Sequence, residues 1–130
     1  MSHTLCACTA RVALAHAARQ RERWCARYFT TTEQEQYRDR GAASVAAALA
    51  LKQAVAALYG DLGLAPPVTP RDIGVGHAAS GAPRLTRLPP ALRAARSRQH
   101  ACVRVSMSHT RTHAYALAAY CAPRDRSDHE

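Results

Sequence analysis

The sequence predicts an α+β protein built on one buried helix and a small, mainly antiparallel sheet. Three observations carry that prediction. From Ser44 to Leu58 nearly every residue is Ala, Val or Leu, with apolar residues on all sides of the helix and not on one stripe, the pattern of a helix enclosed by other elements. "ACVRVSMSH" and "HAYALAAYCA" alternate in polarity on either side of the polar residues Ser108 to Thr112, which reads as a hairpin. Near the N-terminus, "TLCACTA" (Thr4 to Ala10) has the period of a short strand.

The remaining elements follow from local signals. Arg11 to Arg27 can form a helix rich in arginine on one side. "FTTTEQEQY" sets a threonine before Glu and Gln at the spacing of a capping box, so a second helix begins near Thr31 or Thr32. Tyr59-Gly60-Asp61 closes the central helix, and "GLAPPVTP" is a loop by its prolines. "RDIGVGH" alternates as a strand, "ASGAP" turns, and "RL" resumes a paired strand. "PALRAARS" (Pro90 to Ser97) opens on a proline suited to a first helical turn. A single domain over residues 1–123 and a polar tail over 124–130 are expected.

Of the 130 residues, 48% are hydrophobic but only 5% are aromatic. An Ala-rich core removes little apolar area per residue, at about 25 cal/mol per Å², so self-association is expected. The formal charge is +9, and Lys52 is the only lysine among 18 basic residues. Such a surface seeks an acidic partner. The interleaved aromatic and basic residues of an RNA-binding sheet are missing, which turns the expectation from nucleic acid to an acidic protein or a phosphorylated ligand. No apolar run reaches the about 18 residues of a membrane span, and no membrane association is expected. Five cysteines without a CxxC pair read as reduced thiols of a cytoplasmic protein. Cys6 and Cys8, with His3 nearby, have the look of metal ligands, but Cys-x-Cys in an apolar stretch marks one face of a buried strand more often.

Four segments in order, "FTTTEQEQY", "AAALALKQAVAALYG", "PRDIGVGHAASGAPRL" and "VRVSMSHTRTHAYALAAY", give the chain from about Thr4 to Tyr120 a resemblance to holo-acyl-carrier-protein synthase, the small trimeric branch of the 4'-phosphopantetheinyl transferases. The resemblance implies a homotrimer with sites at subunit interfaces. It also implies coenzyme A and magnesium as reactants of a transfer to an acidic acyl carrier protein, and an arginine-bearing early helix that docks the carrier. On that basis Arg11, Arg19, Arg23 and Arg27 are the candidate docking residues. Lys52, Gln53, Arg84 and His109 are the candidate contacts to coenzyme A or to a carrier-borne pantetheine arm. His109, Ser108 and Ser106, which match the family's "SxSH" segment, are the candidate catalytic residues, with His113 and Tyr115 near in sequence. Glu33 matches the family's structural "TxxE" helix start.

The metal ligands of the family are not matched. The family's "GTDIV" strand corresponds to "CTARV", which puts Ala10 where the Asp belongs, and no Asp or Glu precedes Glu22. The Glu of the family's "AAKEAVxKA" helix has become Gln53, the following lysine Ala57, and the preceding Arg-Phe Ala48-Leu49. Magnesium is therefore not expected to bind, and the Lys52-Gln53 pair reads as the remnant of a metal site. Three functions are open: a transferase working without the usual metal, an enzyme that acts on the acyl or polyketide chain of a loaded carrier by dehydration or cyclisation, and a non-catalytic homologue that only docks carriers.

Overall fold

The computed structural model describes residues 2–123, so the expected tail over 124–130 lies outside the described residues. Strand β1 (Ser2–Ala13) leads into helices α1 (Leu14–Tyr28), α2 (Thr31–Tyr37) and α3 (Ala42–Asp61). A short 3-10 turn at Pro70–Asp72 precedes the hairpin β2 (Gly74–His77) and β3 (Pro83–Arg87), and α4 (Pro90–Gln99) leads to β4 (Cys102–His109) and β5 (His113–Pro123). The expected strand after the N-terminus runs three residues further than Ala10, and Arg11 belongs to it instead of to the first helix.

β1, β5 and β4 form one antiparallel sheet in that order, while β2 and β3 pair separately. Alternation along the strands assigns its two faces. Cys6, Cys8, Ala10 and Val12 of β1, Ala114, Ala116, Ala118 and Tyr120 of β5, and Val103, Val105 and Met107 of β4 pack into the core beneath α3. Alanines down the middle strand let the helix lie close. The opposite face is open: Thr9 pairs with Leu117 and Leu117 with Ser106, and Arg11 pairs with Tyr115 and Tyr115 with Ser108.

α3 is long and apolar enough to cross a membrane by length and composition, yet it is mostly enclosed by the sheet and α1. Its sides are apolar because protein surrounds them. Strand β2 can close on β3 because Gly74 has no side chain: a Cβ there would lie 2.5 Å from Thr86 Oγ1. The expected capping box is present, with Thr30 as the cap and α2 beginning at Thr31: the Thr30 hydroxyl accepts from Glu33 N, and Glu33 accepts from Thr30 N at 2.9 Å.

Candidate functional site

Lys52 does not reach solvent. Its side chain is fully buried, and its ammonium donates to Glu33 Oε1 at 2.7 Å, to Ile73 O at 2.5 Å and to Pro70 O at 3.2 Å, 5.1 Å from the centroid of the Phe29 ring. Glu33 Oε2 in turn accepts from Val75 N at 2.8 Å. One carboxylate thus caps α2, pins β2 and pairs with the only lysine of α3. Burial pulls the Lys52 pKa below its ordinary value, against the Glu33 hydrogen bond and charge that favour the ammonium. The lysine expected at coenzyme A is instead a clamp between α2, α3 and β2 with no donor left for a ligand. Only Gln53 of the pair faces outward.

The direction of β1 across α3 fixes what stands beside Gln53. Cys8 Sγ meets Asp61 Oδ2 at 3.1 Å at the C-terminal end of α3, whereas Ala43, Ser44 and Ala47 at its N-terminal end share a crevice with Met107 and His109, at the end of the sheet where Ala13 pairs with His113. The two elements are therefore antiparallel. Two strand residues rise about 6.6 Å and four helical residues about 6 Å, so Ala57 stands level with Ala10, and Gln53 one turn beyond. At this level the chain presents the methyl groups of Ala10 and Ala57, and one turn away the neutral amide of Gln53. Magnesium requires hard oxygen donors and sheds its waters reluctantly, and these residues do not fit it.

The candidate catalytic residues separate across the sheet. Ser106 and Ser108 project on the open face, where with Thr9, Arg11, Tyr115 and Leu117 they border a cleft of about 610 Å³. His109 lies at the end of β4 beside the small crevice of about 170 Å³ under the start of α3, where Ser108 also contributes. That crevice holds a residue the sequence reading passed over, His77. Its ring lies edge-on to Tyr37 at 6.0 Å, with Gln36 Nε2 3.2 Å from Nδ1. Burial, and then the Arg40 charge, push its pKa below the ordinary value. His113 and Tyr115 adjoin one another at 6.1 Å, and Tyr115 faces the open cleft rather than the crevice.

Arg84 occupies a third depression of about 470 Å³, lined also by Arg96 and Arg104, where three guanidinium groups suit a phosphate. Among the proposed docking arginines, Arg19, Arg23 and Arg27 are exposed on α1 and, four residues apart, form one stripe. Arg11 is the exception: it is exposed on β1, on the open sheet face. Arg21 is tied down, donating to Tyr37 O at 2.6 Å and Arg38 O at 2.8 Å.

No protein-family model and no curated protein matches the chain. Solved structures do. The holo-acyl-carrier-protein synthase of Neisseria meningitidis is 26% identical over 91% of this chain and 98% of its own, with a TM-score of 0.72. The acyl carrier protein synthase of Mycobacterium tuberculosis is 24% identical over 93% and 100%, with a TM-score of 0.68, and the Bacillus anthracis synthase, solved in complex with CoA (3',5'-ADP), is 20% identical over 92% and 98%, with a TM-score of 0.72. The element order, the sheet and the buried helix are those of the holo-acyl-carrier-protein synthase fold. The chain is thus similar over nearly its whole length to holo-acyl-carrier-protein synthases.

Proposed function

We propose that this chain docks an acyl carrier protein on the α1 arginine stripe and holds coenzyme A, or the carrier's own pantetheine arm, without carrying out the magnesium-dependent transfer. The observation that carries the reading is the side chains at the positions where the resemblance would put the metal ligands: Ala10, Ala57 and Gln53 offer no charge to a divalent cation. Transfer chemistry of this class draws on a cation to offset charge on the migrating phosphoryl group, and that contribution is missing from these residues. Arg84, Arg96 and Arg104 support the binding half of the proposal, since phosphates are held by guanidinium groups whether or not a metal is present. Coenzyme A in the Bacillus anthracis relative is consistent with a nucleotide-bearing ligand.

The proposed assembly is a cytoplasmic homotrimer joined through the open face of the sheet. Leu5, Tyr115 and Leu117 are 49%, 39% and 39% exposed, large apolar side chains that a second copy would cover. A second reading, chemistry on the acyl chain of a loaded carrier, is favoured by His77 and His109 lining one crevice, because a neutral imidazole near pH 7 can accept a proton.

Calorimetric titration of the reduced protein with coenzyme A, with and without millimolar magnesium, tests the binding mode. The proposal requires affinities equal to within about twofold, or roughly 0.4 kcal/mol. Binding tightened tenfold or more by magnesium would restore a metal bridge to the site and sink the proposal.

A further inference from the structure

Cys6, Cys8 and Asp61 bring two sulfurs and a carboxylate oxygen within 4.8 Å of one another. We infer that they form a site for a thiophilic divalent cation, zinc being the commonest, with both thiolates and the carboxylate as ligands and the fourth position open to solvent. The site is separate from the Ala10 and Gln53 positions and takes a cation of opposite chemical preference, sulfur donors selecting zinc over magnesium.

The fold creates the cluster. A register shift between Thr4 and Cys6 marks a bulge in β1, after which Cys6 and Cys8 share the face turned towards α3. Asp61, the last residue of α3, meets them from the other side. Its position is electrostatically poor: the negative end of a helix dipole disfavours a carboxylate, the last turn of α3 has no basic residue, and among the described residues Asp61 has no salt bridge, in a chain of net charge +9. Among the described residues, its one side-chain hydrogen bond comes from Cys8 Sγ at 3.1 Å. A cation at this point would answer the carboxylate and the helix end together.

The geometry admits one. With Zn–S near 2.3 Å and Zn–O near 2.1 Å, tetrahedral ligand atoms stand about 3.6 to 3.8 Å apart, within an ångström or so of the present spacing. Both cysteines are half-buried and Asp61 is exposed, so an ion can enter from solvent and would fasten an edge strand to the end of the central helix.

Cobalt titration of the reduced, metal-free protein tests this. One ion per chain should give thiolate-to-cobalt charge-transfer absorption and the intense visible bands of a four-coordinate ion. Cys6→Ser and Cys8→Ser should each lose the two-thiolate spectrum, Asp61→Asn should weaken binding, and Cys25→Ser and Cys102→Ser should leave it intact. Independently of any variant, zinc should slow alkylation of Cys6 and Cys8 in the unaltered protein, read by peptide mass, and leave Cys25 and Cys102 as reactive as before. Absent thiolate bands, bands that survive both cysteine changes, affinity unaltered in Asp61→Asn, or alkylation of Cys6 and Cys8 indifferent to zinc would overturn the assignment.

Discussion

Replacing Lys52 with methionine removes the one cation that balances a buried carboxylate while nearly conserving volume. Glu33 would keep the N–H donors of Thr30 and Val75 but lose its counter-charge, and the carbonyls of Ile73 and Pro70 would lose the donor they share. Removing one member of a buried pair costs about 3 to 5 kcal/mol, a large part of the about 5 to 15 kcal/mol that holds an ordinary domain together. Urea unfolding followed by circular dichroism, at fixed chain concentration because assembly also contributes, should show Lys52→Met destabilised by about that amount. The double change Lys52→Met with Glu33→Gln should recover part of the loss, since the carboxylate charge leaves with its partner. Gln53→Ala, at the exposed neighbouring position, should stay within about 0.5 kcal/mol. A loss under about 1 kcal/mol for Lys52→Met, or equal losses at 52 and 53, would mean that the ammonium is solvated and that the clamp between α2, α3 and β2 does not exist.

Two further outcomes follow from the surfaces. Reversing Arg19, Arg23 and Arg27 to Glu should weaken association with an acidic carrier protein by at least about tenfold at low salt, from about 0.5 kcal/mol per exposed contact, and the difference should shrink as ionic strength rises; unchanged binding kinetics would place the docking face elsewhere. Leu117→Asp, on the open sheet face, should shift the protein in sedimentation velocity from trimer to monomer at micromolar concentration, and a monomer before the substitution would contradict the assembly.

The central helix and both hairpins were legible because their signals are local. An apolar circumference marks burial, and alternation marks strands whatever the rest of the chain does. The boundary between β1 and α1 was not legible: Ala13 caps α1 without a side-chain hydrogen bond and no acidic residue stands in the first turn, so nothing in the sequence separates Arg11 from the helix that follows. Lys52 was misread for a different reason. Its partner Glu33 is 19 residues away and already explained by its capping role, and the further acceptors are backbone carbonyls that no side-chain pattern announces. His77 was missed as a lone histidine at the end of a four-residue strand, and Asp61 because a helix-ending Tyr-Gly-Asp says nothing about the cysteines of a strand more than fifty residues earlier. Ala10 and Gln53 stood out in the sequence by their absent charge alone.

The mass of an apo acyl carrier protein after incubation with this protein, coenzyme A and magnesium tests the central claim most directly. The account predicts no phosphopantetheine added by the unaltered chain, and addition by Ala10→Asp, Gln53→Glu, Ala57→Lys if those three positions are all that the centre lacks. With a loaded carrier, a change in the acyl group that His109→Ala abolishes would select the second reading. Robust, magnesium-dependent addition by the unaltered chain would contradict the account and give the protein the activity of the synthases it resembles.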